Sequence, residues 1–256
     1  MATEFSTSEL MVVVGARELH DGEVAVVGLG IPLLAAALAQ RTHAPTLKAL
    51  NELGVADPRP IELGVGNADA RLWFGAAFFG SFIDIMGTCL HRGVVDVGFL
   101  GALEVDQFGN SNTTEIRNPD GSLRRFNGSG GANDMASNAR RTIIIARHEA
   151  RKLVERVSHL TSPGFLTGGR ARQDAGLRGG GPSRVLTDKA VLGFDESTGR
   201  MRLISIHPGV THDDLRASTG FDLEISRDCA VTVAPTPEEV RLIRELDPHR
   251  LYISGE

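Results

Sequence analysis

The sequence predicts an α/β fold: an open, mainly parallel sheet flanked by helices, with a hairpin-rich C-terminal part. Three observations carry this. Short β-prone runs alternate with helical patterns along the chain. The first such run passes through a glycine turn straight into a helix, the opening unit of α/β proteins. Hydrophobic residues make up 41% and charged residues 23% of the 256 residues, with 30 glycines, a composition that suits a soluble α/β chain. A chain of this length buries roughly 70–75% of its unfolded surface, so its core needs no disulfide or metal. A single domain over residues 1–256 is expected, since neither repeats nor a linker divides the chain.

Taken in order, Ser6 or Ser8 caps a helix that runs to about residue 19, with Leu10, Val13, Val14 and Ala16 on its apolar face. Asp21-Gly22 is a turn. EVAVVG (23–28) is a strand, and Pro32 opens the next helix, over 33–41. A second strand over 47–50 ends at Asn51-Glu52-Leu53-Gly54, and the prolines at 58 and 60 require loop. Residues 78–86 read as a helix, and VVDVGFL (94–100) and TIIIA (142–146) as buried strands. Strands over 184–187 and 201–206 alternate with glycine turns and predict hairpins. The last helix, over 236–246, is well signed by Thr236 as cap, Pro237 at the first position and Glu239 completing a capping box.

The same residues exclude several classes of function. The net charge of −5 is too small, and the apolar content too high, for a disordered chain. No basic surplus points to nucleic acid. The N-terminus has no basic segment leading into an apolar one, and the longest apolar stretch, 24–39, is too short to span a membrane. Cys89 and Cys229 are the only cysteines and form no CxxC pair, so neither a disulfide framework nor a structural zinc site is expected. A reducing cytoplasm fits.

The strongest local feature is Asn127-Gly128-Ser129-Gly130-Gly131-Ala132-Asn133-Asp134. Its bare backbone can approach a ligand and offer N–H donors to an anion, although a tight or flexible turn reads the same way. Glu52 stands where a short strand meets a turn glycine, the end of an α/β sheet where ligands gather. A carboxylate there can serve as nucleophile or general base; a solvated loop residue is the plainer reading. Gly28-Leu29-Gly30 could hold phosphate or simply allow close strand–helix packing. His148-Glu149 begins like HExxH but meets Lys152, so the second zinc ligand is missing. His207 sits in a Pro-Gly turn and is read as structural. Trp73, Phe74, Phe78, Phe79 and Phe82 are read as core. Spacing alone thus suggests an anion-binding α/β enzyme and nothing sharper.

Read in order, the motifs carry a resemblance: DGEVAVVGLGIPL (21–33), THAP (42–45), NELG (51–54), GALEVDQFGNSNTT (101–114), RFNGSGGANDMA (125–136), RHEARK (147–152), TSPGF (161–165), VLTDKAVLGFD (185–195), STGFDLEIS (218–226) and LIRELDP (242–248). The chain resembles the β subunits of family I CoA-transferases, the glutaconate CoA-transferase type among them, over nearly its whole length. The resemblance implies the CoA-transferase fold and a covalent ping-pong reaction in which Glu52 is the nucleophile. Gly128, Gly130, Gly131, Ala132 and Asn133 fall on the family's oxyanion- and CoA-binding loop. No metal or redox cofactor is implied; coenzyme A is a substrate, exchanged between an acyl-CoA and a small carboxylic acid such as a glutaconate- or 3-oxoadipate-like dicarboxylate. An α subunit is implied as partner in an obligate hetero-oligomer. One departure stands out: the family usually follows its glutamate with a small or polar residue, and here Leu53 takes that place. Relatives on this fold include a decarboxylase and a CoA-dependent ring-opening hydrolase that tend to have lost the glutamate, and its presence here favours transfer. A non-catalytic subunit is the reading from a different class.

Overall fold

The structure is a computed structural model that describes residues 4–64, 66, 69–117, 120–226 and 229–253. The chain divides into two compact units, Met1–Phe99 with Val233–Glu256, and Leu100–Thr232.

The first unit begins with α1 (Thr7–Arg17). Ser6 Oγ accepts from Glu9 N at 3.2 Å, and Ser6 N donates to Glu9 Oε2 at 2.7 Å. Two donors that the first turn would leave orphaned are satisfied in this way. Strand β1 (Val24–Val26) leads through Gly30, at φ +88°, into α2 (Ile31–Arg41), with Pro32 in its first turn. Then follow β2 (Lys48–Asn51), β3 (Val55–Ala56), β4 (Phe78–Phe79) and β5 (Val97–Gly101), the last carrying the chain out of the unit. Their order is β5-β1-β2-β3-β4. β1 is parallel to both neighbours, with Ala25 opposite Ala49 and Val97, while β3 and β4 join antiparallel. Val12, Val13, Ala25, Leu34, Ala35 and Ala39 are fully buried. Both helices are apolar on most of their surface because they are the covering layer of this core.

The helix expected over 78–86 does not form as such. Phe78 and Phe79 extend as β4, and a short π-helix, Ile83–Cys89, starts only after Gly80 and Ser81. Gly80 N donates to Gly54 O at 2.8 Å, so the β3–β4 ladder claims the residues that the apolar pattern assigned to a helix. The aromatic cluster is not core either. Phe74, Phe78, Phe79 and Phe82 are 46–61% exposed and Trp73 is half-buried. They flank an edge strand, beyond which no described residue supplies a covering layer.

The second unit opens with β6 (Glu104–Asp106), β7 (Ser111–Asn112), and the exposed hairpin β8 (Glu115–Arg117) and β9 (Leu123–Arg125). Next come α3 (Ala132–Asn138), β10 (Arg141–Ile145), β11 (Leu153–Val154) and the short α4 (Ala171–Asp174). The remaining elements are β12 (Pro182–Leu186), β13 (Ala190–Phe194), β14 (Met201–Ile206), α5 (His212–Ala217) and β15 (Ala230–Val231). β10 and β12 are parallel, β12-β13-β14 form the expected antiparallel meander, and β15 runs parallel to β14. β11-β6-β7 make a small separate sheet.

The final helix, α6 (Pro237–Leu246), returns to the first unit with the predicted capping box between Thr236 and Glu239. It is tied to α1 by Arg17–Glu239 and Arg244–Glu9, both 2.8 Å. Among the described residues no helix is long and apolar enough to cross a membrane.

Candidate active site

Glu52 stands at the tip of the β2–β3 hairpin, and the local sequence explains why it is presented there. Asn51 Oδ1 accepts from Leu53 N at 2.9 Å, an Asx turn that reverses the chain over a single residue. Gly54 N then donates to Asn51 O at 3.0 Å. Gly54 adopts φ +104°, and a Cβ on it would lie 2.4 Å from Gly80 O. Only glycine permits that approach, so the hairpin tip rests on the backbone of Gly80. The turn is therefore held by backbone and by Asn51, which leaves the Glu52 side chain out of its own scaffold. Its carboxylate is half-buried and makes no hydrogen bond or ion pair among the described residues. Leu53 beside it is 43% exposed, so the carboxylate has an apolar neighbour. Within the same unit Ile61, Trp73, Phe74 and Phe79 line an apolar depression of about 600 Å³.

Gly128, Gly130, Gly131, Ala132 and Asn133 come together on one loop of the second unit. Gly128 and Gly130 take φ +80° and +49°, and a Cβ on either would meet nothing within 4 Å. Glycine is needed there for backbone conformation, and the space in front of the loop is open. The loop is pinned on one side by a two-way bond with Thr113: Gly128 N donates to Thr113 O (3.2 Å) and Thr113 Oγ1 to Gly128 O (2.8 Å). On the other side Asn133 Nδ2 donates to Thr161 O at 2.7 Å. Thr161 Oγ1 in turn accepts from Thr113 N at 3.0 Å, which closes the frame. Ala132 N is used by Ser129 O at 2.8 Å, whereas the N–H groups of Gly130 and Gly131 find no acceptor among the described residues. Gly131 is buried and immediately precedes α3; Gly130 is exposed and Asn133 half-buried. Two adjacent free amides ahead of a helix make a donor surface for an oxyanion.

Sequence reasoning found Glu52 and the glycine loop but missed the residues that hold them. Asn51, Gly80, Thr113 and Thr161 act through backbone bonds that no spacing announces. The DQFGNSN motif, noted only as a family marker, is the anchor of a larger cleft of about 810 Å³ lined by Asp106, Phe108, Asn110, Ser158 and Leu160 among others. Asn110 Oδ1 accepts from Gly164 N (2.9 Å) and Leu166 N (3.1 Å), so the motif fixes the segment that carries Thr161.

The remaining candidates are structural. His148 is 1% exposed and bonded to Thr187 Oγ1 (2.9 Å) and Thr219 Oγ1 (3.0 Å), and burial lowers its pKa to about 4. His207 contacts Thr232 Oγ1 and Thr187 O, both at 2.9 Å, and burial depresses it too. Gly28 and Gly30 face open space, so close strand–helix packing does not account for them. Among the described residues no cluster of three or more His, Cys, Asp or Glu is disposed to hold a metal ion.

Comparison with known proteins agrees with this arrangement. The Coenzyme A transferase family matches residues 9–218. The B chain of glutaconate CoA-transferase from Acidaminococcus fermentans is 36% identical over 98% of this chain and 96% of its own. The crystal structure of that transferase superposes with a TM-score of 0.92 at 33% identity, covering 99% of both chains. Its counterpart in the 3-oxoadipate CoA-transferase of Pseudomonas knackmussii is 34% identical, over 98% of this chain and 97% of its own. A decarboxylase, AibA/AibB, superposes with a TM-score of 0.81 at 29% identity over 96% of each chain. With a family match through both compact units and this identity over nearly its full length, the chain belongs to the coenzyme A transferase family.

Proposed function

We propose that this chain is the β subunit of a CoA-transferase that moves CoA between a thioester and a small carboxylic acid, through a glutamyl-CoA thioester on Glu52. The observation that carries the reading is the Glu52 carboxylate, held at a rigid hairpin tip, half-buried and without a partner among the described residues. A nucleophilic carboxylate must keep its lone pairs free, and a structural one would have spent them.

In this reading a carboxylate oxygen of Glu52 attacks the thioester carbonyl carbon. The C–S bond breaks, CoA leaves as thiolate, and an acyl-glutamyl anhydride remains. The thiolate then attacks the Glu52 carbonyl carbon, and the first acid leaves as a carboxylate. An incoming carboxylate attacks the glutamyl thioester and expels the thiolate, which attacks the new acyl carbonyl and frees Glu52. Each step conserves the energy of the thioester, so no metal or redox cofactor is called for. To the 128–133 loop we assign the binding of acyl-CoA, with the Gly130 or Gly131 N–H as donor to the oxyanion, a contribution of about 3–4 kcal/mol.

The substrate class suggested by the named relatives is a dicarboxylate of the glutaconate or 3-oxoadipate kind. The partner is a CoA-transferase α subunit, since the two transferase relatives are named as one of a pair of chains and the decarboxylase is an AibA/AibB pair. The chain alone is expected to be inactive, and equal amounts of the α subunit should restore turnover.

The test is borohydride or hydroxylamine trapping of the complex in the presence of acyl-CoA, read by mass spectrometry of the Glu52 peptide. Modification confined to Glu52 is expected. An unmodified peptide, together with product formation and no exchange of labelled CoA into acyl-CoA, would instead assign decarboxylation, hydrolysis or lyase chemistry.

A further inference from the structure

Arg172, on α4, is 2% exposed. Its guanidinium donates from Nε to Gly179 O (2.8 Å), from Nη1 to Pro163 O (3.2 Å) and Gly164 O (2.9 Å), and from Nη2 to Ala136 O (2.6 Å). All four acceptors are neutral carbonyls, and no carboxylate pairs with it among the described residues. Burial of a cation without a counter-ion is costly, and it holds this pKa down at about 10. The carbonyls come from three separate segments, and a planar fork of donors is the side-chain shape that can serve them together.

The segments so joined are those that frame the glycine loop. Ala136 lies in α3, the helix that begins where the loop ends. Pro163 and Gly164 follow Thr161, whose carbonyl accepts from Asn133 and whose hydroxyl accepts from Thr113 N. The Gly179 N–H donates back to Ser137 O at 2.8 Å, which doubles the clamp at the end of α3. Arg172 thus adds a second tie between α3 and the 161–164 segment to the one that Asn133 makes.

We propose that Arg172 is the positioning residue of the catalytic loop: its buried fork locks α3 to the 161–164 segment and so fixes where the Gly130 and Gly131 N–H groups point. This rests on the loop's role in the reaction proposed above. A displacement of about 1 Å at a reacting centre costs on the order of 10²-fold in rate, so loss of the clamp should appear in kcat and leave KM nearly unchanged.

The experiment assays Arg172→Ala and Arg172→Lys in complex with the partner subunit. Arg172→Ala should lose about 10²-fold in kcat. Millimolar guanidinium chloride, but not sodium chloride, should recover much of that loss by refilling the cavity. Arg172→Lys keeps the charge without the fork and should fall between wild type and Arg172→Ala. A folded variant with wild-type kcat overturns the proposal. So does a loss that tracks the unfolded fraction and ignores guanidinium, or failure of both variants to fold, which would make Arg172 a determinant of folding only. Gly130→Val separates the two readings: normal turnover in that variant removes the loop from the reaction, whereas an inactive Gly130→Val beside fully active Arg172 variants removes only the positioning role.

Discussion

Glu52 in the first unit carries a carboxylate that no described residue engages, while Glu104 in the second unit is 7% exposed and fully occupied. Glu104 Oε2 accepts from Asn112 Nδ2 (2.8 Å), Ser158 N (2.9 Å) and Ser158 Oγ (2.7 Å). Asp106 nearby is 2% exposed and accepts from Asn110 Nδ2 at 2.9 Å and Phe108 N at 2.9 Å. Burial pushes its carboxyl above the usual range, against the pull of those donors. The contrast shows how one chain sorts its carboxylates. Those that organise loops are saturated with donors, because an unmet buried charge is costly. The one proposed for chemistry is held through its backbone and its neighbour Asn51, so its oxygens remain available.

That contrast can be broken most directly at Glu52. Glu52→Gln should lower transfer by more than about 10³-fold, while stability from urea unfolding moves by no more than about 1 kcal/mol. Full turnover in freshly purified protein, before deamidation, would refute the nucleophile.

Next in size is Gly130→Val. Its φ of +49° disfavours a branched residue, and the side chain would enter the open space in front of the loop. Steady-state assays should show a loss of roughly 10²–10³-fold.

The third expected effect concerns pH. The folded-state pKa of His148, about 4, lies below its ordinary 6.5, so between those values the unfolded chain binds more protons. Stability from the neutral ring is fully present above pH 6.5 and is lost as pH falls toward 4, by up to about 3 kcal/mol. Denaturant midpoints between about pH 7 and pH 5 should fall, and His148→Gln should flatten the slope. An equally steep slope in that variant would locate the acid sensitivity elsewhere.

The smallest effect sharpens the comparison from the structural side. Asn110→Ala strips acceptors from Gly164 N and Leu166 N and should cost about 2 kcal/mol, read by thermal unfolding. The intact fraction should keep most of its kcat. A variant of undiminished stability would mean that the motif is not the anchor of the 158–166 segment.

Much of this architecture was legible beforehand because it is set by local chemistry. Ser6 and Thr236 cap their helices since a serine or threonine three residues before a glutamate satisfies first-turn donors wherever it occurs. The 201–206 strand and its hairpin partners followed from glycine turns between β-prone runs. Glu52 and the 127–134 block were visible as residue types, and their roles came from resemblance to a family.

What remained hidden depends on contacts distant in sequence. The 78–86 pattern is helical by composition, yet β4 forms because Val55 and Gly54 offer it a ladder. Burial of the aromatics could not be read from hydrophobicity, since whether an apolar side chain is covered depends on which element packs over it. Only the tertiary structure identified Asn51, Thr113, Thr161 and Arg172 as holders of the candidate site. Their bonds join backbone groups up to dozens of residues apart, and such convergence leaves no periodicity in the sequence. By itself the sequence determined caps, turns, strand-forming runs and the supply of chemical groups, because those depend on nearest neighbours; the fold decided which carboxylate would be satisfied and which left free, because desolvation and hydrogen bonding are properties of the assembled chain.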